Sequence, residues 1–135
     1  TETHGIMLCQ FYSDGGIYDG PVLMDARCFN LMTGSNVTVR NYKALSTMMC
    51  SDGITSMGTD HLYENCWIYV GDNALVISGA NGHTFRDVVI GNTCAAIFPQ
   101  LDTINVLLEN IFVYRSNDGI VNNRYNSGAK QRTIS

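Results

Sequence analysis

Short apolar runs alternate with polar turn residues along the whole chain, and they recur at a regular spacing. In a first series, a β-type run ends in a charged residue followed by Asn or Asp at positions 41, 65, 87 and 110, at intervals of 24, 22 and 23 residues. A second series of apolar runs begins at positions 52, 72, 94 and 118, and a third run lies between the two series. Each period of about 22 residues therefore holds three short β-type runs separated by turn residues.

Three short strands per period predict an all-β fold, a right-handed parallel β-helix of about 22–24 residues per coil. Each coil stacks on the last at a strand spacing of about 4.8 Å. A solenoid of helix pairs needs longer amphipathic runs, and a leucine-rich repeat needs regularly spaced leucines. An antiparallel sandwich also uses many short strands but does not predict so regular a repeat. We assign residues 1–125 to a partial β-helix domain and residues 126–135 to a loose polar tail.

Particular residues fit the turns and the interior of such a coil. Side chains that end the first series are expected to form a hydrogen-bonded turn ladder between coils, made of Asn41, Asn65, Asp87 and Asn110. Small apolar thiols are expected to stack inside successive coils at Cys9, Cys28 and Cys50. Core packing or a groove wall is the expected environment of Trp67 and Phe85.

Composition narrows the classes of partner. Charged residues make up only 15% of the 135 residues, and eight Lys and Arg with a net charge of −4 argue against nucleic acid as a partner. The apolar runs are too short to cross a bilayer, so no membrane partner is predicted. Open coil ends expose unpaired backbone, so flanking parts of the same protein or neighbouring chains are expected to cover them.

The sequence contains no motif typical of a metal-binding or cofactor-binding site. The five Cys form no Cys-x-x-Cys pair, and the three His have no spacing typical of metal ligands. The sequence therefore predicts neither a metal site nor a cofactor.

Carboxylates at the start of the second series are the candidate catalytic groups. Asp52 and Asp72 open this series on neighbouring coils, and Asp118 opens it two coils beyond Asp72. Carboxyl groups on adjacent coils can lie roughly 5 to 8 Å apart on one face. Such a pair can cleave a glycosidic bond, because one acid protonates the leaving oxygen and the other acts as base or nucleophile. The alternative interpretation is structural, because Asp-Gly is a common turn dipeptide.

The segments 50–54 and 64–78 resemble the core of the polygalacturonase-type glycoside hydrolases of family 28. They are also similar to the dextranases and isopullulanases of family 49. In those enzymes an Asn-Thr-Asp-Gly stretch is followed on the adjacent β-helix coil by Gly-Asp-Asp. The resemblance implies a parallel β-helix that hydrolyses a polysaccharide with inversion of configuration.

Carried over by residue, the resemblance matches Asp52 to the first acid and Asp72 to the first member of the Asp pair. The second member is Asn73 in this chain. Residues 93–95 lack the histidine of the families, and Arg124 is a partial substitute for their basic motif. These departures favour a neutral sugar over pectin. Other β-helix families, of the α-galactosidase, carrageenase or fructotransferase type, fit them equally well.

The sequence therefore predicts a glycoside hydrolase, or a segment of one, that acts on a polysaccharide or oligosaccharide outside the cell, secreted or periplasmic. Asp52 and Asp72 form its acid and base pair. Groove residues that stack on sugars or hydrogen-bond their hydroxyl groups are expected to be Asn73, Trp67, Tyr69, Asp118, Arg124 and Tyr125. Two alternatives remain, a non-catalytic carbohydrate-binding or tailspike-like module and a lyase or epimerase on the same scaffold.

Overall fold

The computed structural model describes residues 8–25, 28–46 and 51–121, and this part of the chain contains strands and turns but no helix. It winds as a parallel β-solenoid of about four turns. Its nine strands are β1 (Leu8–Asp19), β2 (Val22–Met24), β3 (Cys28–Arg40), β4 (Lys43–Leu45), β5 (Ile54–Ser56), β6 (Leu62–Tyr69), β7 (Asn73–Ser78), β8 (Thr84–Gln100) and β9 (Leu107–Ile120). The predicted all-β parallel helix is confirmed.

Each coil passes three flat faces, and every face keeps its register from coil to coil. Face 1 is marked by the column Ile54, Leu75, Ile97 and Ile120. Face 2 is marked by the column Thr38, Leu62, Thr84 and Leu107. Face 3 is marked by the column Ala44, Ile68, Ile90 and Val113. All pairs are parallel, so the three β-type runs of the sequence repeat correspond to the three faces.

Alternate residues of the three faces point inward and build a continuous core. The rings of Tyr63 and Phe85 stack with centroids 4.7 Å apart and an interplanar angle of 5°. Both rings are fully buried, which confirms core packing for Phe85. The Tyr63 hydroxyl lies 2.5 Å from the Ser56 hydroxyl, and the Tyr42 hydroxyl donates to the Gly53 carbonyl at 2.9 Å. The buried hydroxyl groups of these two tyrosines are thus hydrogen-bonded within the core.

The predicted turn ladder is present at the corner between faces 2 and 3. The φ angles at Asn41, Asn65, Asp87 and Asn110 lie between 52° and 56°. Nδ2 of Asn65 donates to Oδ1 of Asn41 at 2.6 Å, and Nδ2 of Asn110 donates to Oδ1 of Asp87 at 3.0 Å. Asn and Asp tolerate this left-handed backbone better than other non-glycine residues, which explains their recurrence at the corner.

A second corner ladder escaped the sequence analysis. Positive φ angles also recur at Asn36, Asp60, Gly82 and Asn105. Their intervals of 24, 22 and 23 residues repeat those of the first ladder. Nδ2 of Asn105 donates to Oδ1 of Asn81 at 2.9 Å, so amides join coils here as well. The spacing was a usable signal, but Gly82 interrupts the run of Asn and Asp.

The predicted cysteine stack is wrong. The register of β1 and β3 pairs Cys9 with Phe29 and Leu8 with Cys28, so the two cysteines are offset by one residue. Cys9 and Cys28 are therefore not register partners, as a stack on successive coils requires. Cys50 and the tail 126–135 lie outside the described residues. Cys66 is buried in the core and Cys94 is exposed, both as free thiols.

Candidate functional site

The outer surface of face 3 is apolar and aromatic. Because side chains alternate along a strand, the neighbours of the buried column Ala44, Ile68 and Ile90 point outward. Two outward columns result, Val22–Lys43–Trp67–Val89–Phe112 and Met24–Leu45–Tyr69–Gly91–Tyr114. We call this surface the aromatic face. Trp67 is 49% exposed and Phe112 is 61% exposed, so the structure places Trp67 outside the core.

This face gathers much of the exposed apolar surface of the described residues. Five of the nine large hydrophobic side chains that are exposed there belong to it, namely Val22, Met24, Leu45, Trp67 and Phe112. Isolated apolar side chains on a surface are ordinary, whereas a contiguous apolar patch marks a binding site more often than chance. The aromatic face is therefore a candidate binding surface.

A groove of about 630 Å³ lies where the aromatic face meets the first turn ladder. It is lined by Trp67, Val22 and Leu45 together with the polar residues Lys43, Asn41 and Asn65. The ammonium group of Lys43 has no hydrogen bond or ion pair within the described residues. The groove thus combines an aromatic wall with amide and ammonium groups, so it offers a ligand both apolar contact and hydrogen bonds.

Gly91 allows two tyrosine rings of the aromatic face to meet. Tyr69 and Tyr114 lie one coil below and one coil above Gly91. Their rings contact edge to face, with centroids 5.5 Å apart. A Cβ atom at Gly91 would lie 2.8 Å from Cε1 of Tyr114, so any side chain there would displace that ring. The ring of Phe112 lies 5.9 Å from Tyr114, which extends the aromatic cluster along the coil.

The predicted acid pair lies at the corner between faces 3 and 1, which we call the carboxylate corner, defined by Asp52, Asp72 and Asn73. Oδ1 of Asp52 accepts two hydrogen bonds from Asn73, one from its backbone N–H and one from Nδ2, both at 3.2 Å. Partial burial raises the pKa of Asp52, the two Asn73 donors oppose that shift, and the negative charge of Asp72 adds to it. Asp52 therefore keeps its proton to a higher pH than an ordinary aspartic acid.

The amide at position 73 has a clear role beside Asp52. An aspartate in place of Asn73 would set a second carboxylate against Oδ1 of Asp52, whereas the amide donates to it. Asn73 stands where the hydrolase families have the second Asp of their pair. In this chain its amide serves as a hydrogen-bond donor to the neighbouring carboxylate of Asp52.

Coil packing accounts for the glycine of the Asp-Gly-Ile stretch. A Cβ atom at Gly53 would lie 2.3 Å from Cγ2 of Ile68 and 2.6 Å from the carbonyl oxygen of Ala74. The backbone of Asp72 is also held, since its N–H donates to Ser51 at 3.1 Å and its carbonyl accepts from Cys94 at 2.8 Å. A structural reason for the motif therefore exists, independent of the catalytic role that the sequence predicts for Asp52.

The remaining predicted site residues fall in different places. Asp118 is exposed in β9, two coils from Asn73 in the register that runs through Ala95. Arg124 and Tyr125 lie outside the described residues. Trp67 and Tyr69 lie on the aromatic face, and that face ends three residues before Asp72. The structure thus brings Asp52, Asp72 and Asn73 together and sets the two aromatic residues apart from them.

Sequence analysis missed Phe112, Tyr114 and Lys43 as site residues. Phe112 and Tyr114 each follow their partners Trp67 and Tyr69 by 45 residues, which is two periods of the repeat. That interval was a usable signal. Lys43 carried no sequence signal, because only the register places it beside Trp67.

Neither a metal centre nor a membrane-spanning helix is found in residues 8–25, 28–46 and 51–121. No group of three or more His, Cys, Asp or Glu side chains there is arranged to hold a metal ion. No helix in the same part of the chain has the length and apolar character to span a membrane.

Comparison with protein-family models, curated proteins and solved structures gives no match to this chain. The resemblance to polygalacturonase-type hydrolases therefore rests on the residues of the repeat alone. A parallel β-helix is compatible with carbohydrate-active and carbohydrate-binding proteins. Any assignment of function must therefore be argued from the aromatic face and the carboxylate corner.

Proposed function

We propose that the protein binds a polysaccharide or oligosaccharide on the aromatic face. The observation that carries this proposal is the exposure of Trp67 and Phe112 in one outward column beside a groove lined by amides. Aromatic rings stack on the apolar faces of pyranose sugars, while amide and ammonium groups hydrogen-bond the hydroxyls around the sugar edge. A ligand of this kind also implies a location outside the cell, secreted or periplasmic.

The shape of the face suits a glycan. Its two outward columns cross five strands at about 4.8 Å spacing, which makes a strip about 20 Å long. A short run of sugar units can lie along a strip of these proportions.

The proposal is tested by measuring the affinity of soluble polysaccharides and oligosaccharides with isothermal titration calorimetry. Trp67→Ala should weaken binding at least about tenfold, the loss typical of an aromatic anchor. Ile17→Ala is the matched control, because Ile17 is 63% exposed but lies on face 2. Absence of binding to every polysaccharide tested, or equal losses in both variants, would refute the proposal.

Hydrolysis of the bound glycan at the carboxylate corner is a second candidate function, supported by the raised pKa of Asp52 beside Asp72. An acid that keeps its proton suits the protonation of a leaving oxygen, and the second carboxylate would then activate a water molecule. That division of roles corresponds to an inverting glycoside hydrolase. Asp52 would be the general acid and Asp72 the general base.

A further inference from the structure

Two exposed aromatic rings lie two coils apart in the column Val22–Lys43–Trp67–Val89–Phe112, which we call the main column. Trp67 and Phe112 occupy equivalent positions two coils apart, and Val89 occupies the position between them. Two coils correspond to roughly 10 Å along the solenoid axis. Val89 is half-buried, so the two exposed rings are separated by a lower, aliphatic step.

The two-coil spacing of these rings matches the repeat of one class of glycan chain. In an extended chain of equatorially linked pyranoses, each sugar is flipped relative to the next, so the same ring face recurs at every second unit. Each unit of such a chain advances by about one strand spacing. Axially linked chains curve into helices, and their ring faces do not return in line on a straight column.

We infer that the ligand is an extended two-fold glycan of equatorially linked pyranoses, of the β-1,4 type, bound along the solenoid axis with one sugar unit per coil. Alternate units stack on Trp67 and Phe112, and the intervening unit passes over Val89. This inference rests on the proposed glycan binding and specifies the linkage class that the aromatic face selects.

The column also gives the site a direction. Lys43 precedes Trp67 by one coil, so a unit beyond the tryptophan meets an ammonium group and the groove amides instead of a third ring. Val22 occupies the next position of the column, one coil beyond Lys43. A glycan that runs along the axis therefore meets rings at one end of these five described positions and polar groups toward the other.

The test compares hexasaccharides by isothermal titration calorimetry with the whole chain. Cello-, manno- and chitohexaose are the two-fold β-1,4 ligands, and maltohexaose and isomaltohexaose are the α-linked controls. At least one of the three β-1,4 hexasaccharides should bind about tenfold more tightly than both α-linked ones. A preference for an α-linked hexasaccharide, or equal affinity, would overturn the linkage inference while glycan binding itself stands. Failure of every oligosaccharide and polysaccharide to bind would instead remove the proposed function.

Ring spacing is tested by moving one ring. Phe112→Ala should lower the affinity for the preferred hexasaccharide about tenfold. The double variant Phe112→Ala with Val89→Phe restores the number of rings but sets the second ring one coil from Trp67. We expect no recovery of affinity in the double variant, with β-sheet content unchanged by circular dichroism. Recovery to the affinity of the unmodified protein would overturn the inference, because ring number alone would then suffice.

Discussion

His61 and His83 contact each other in the core on successive coils, with ring centroids 4.7 Å apart. Nδ1 of His61 accepts a hydrogen bond from the backbone N–H of Val37 at 3.2 Å, which requires an unprotonated nitrogen there. Burial, followed by the charge of His61, lowers the pKa of His83 to about 4. Burial also lowers the pKa of His61, although Asp60 opposes the shift. Both rings are therefore neutral in the folded protein near neutral pH.

This pair predicts a loss of stability in mild acid. The pKa of His83 is about 6.5 in the unfolded chain and about 4 in the fold, so the unfolded state binds the extra proton first as the pH falls. The contribution of neutral His83 to the free energy of unfolding is fully present above about pH 6.5. It is lost progressively as the pH falls to about 4, a decrease of about 3 kcal/mol. Urea unfolding at several pH values measures this loss. His83→Gln should reduce the slope between those pH values, and an unchanged slope would contradict the assignment.

The turn ladder predicts a graded response at Asn65, whose φ is 52° and whose amide donates to Asn41. Asn65→Ala removes the hydrogen bond and forces an ordinary residue into the left-handed region, at a cost of about 2 kcal/mol. Asn65→Gly loses the same hydrogen bond but adopts that backbone freely, so its loss should be about half as large. The measurement is the free energy of unfolding in urea. Equal losses in the two variants would show that backbone angle contributes little.

Much of this fold was readable from the sequence because a solenoid repeats the same local requirement in every coil. Asn41, Asn65 and Asn110 meet one need, a left-handed corner whose side chain hydrogen-bonds to a neighbouring coil, so they recur at the coil period. Gly82 meets a similar need without a side chain, and for that reason the second ladder was missed. Cys9 and Cys28 share only an approximate spacing, and the strand register offsets them by one residue, so they are not paired.

A column of alternating charge runs up face 2 and predicts sensitivity to charge reversal. The residues in register are Asp19, Arg40, Glu64, Arg86 and Glu109. Arg40 pairs with Asp19 at 2.7 Å and Arg86 pairs with Glu109 at 2.6 Å, while the charge of Glu64 acts on both arginines. Glu64→Lys would set three cations in succession, so the urea midpoint should fall.

Salt separates this electrostatic effect from packing. The fall in the urea midpoint caused by Glu64→Lys should be smaller in high salt, because exposed charges are screened. Glu64→Gln is the neutral control and should lose less than the lysine variant. If high salt leaves the fall in the urea midpoint unchanged, the charges of this column do not act on one another.

The candidate site was less readable than the fold, because its chemistry depends on which side of a strand a residue occupies. Trp67 lies between Cys66 and Ile68, both of which are buried, and all three are apolar in the sequence. Hydrophobicity alone therefore cannot separate the exposed ring from its neighbours. The carboxylate corner was found from the spacing of Asp52 and Asp72, yet the partner that Asp52 actually bonds is Asn73, which only the three-dimensional register reveals.

The carboxylate corner gives the last prediction, which decides between hydrolysis and binding alone. If the protein hydrolyses the glycan it binds, Asp72→Asn and Asp52→Asn should each lower the rate at least about 10²-fold, the usual contribution of a general acid or base. Both substitutions keep the side-chain volume, and the amide introduced by Asp52→Asn retains an oxygen that accepts from Asn73, so the fold should persist. Because the pKa of Asp52 is raised, the rate should fall on the alkaline side only above the pH at which an ordinary aspartic acid ionises.

The controls separate the chemical step from binding. Asp118→Asn should keep the rate of the chemical step, because Asp118 is exposed two coils from Asn73. Trp67→Ala should raise KM more than it lowers kcat, because the aromatic face holds the glycan and takes no part in proton transfer.

Release of reducing ends from the bound polysaccharide is the measurement. Full activity in Asp72→Asn would remove Asp72 from the mechanism. No release by the unmodified protein, with glycan binding intact, would leave the β-helix as a binding module.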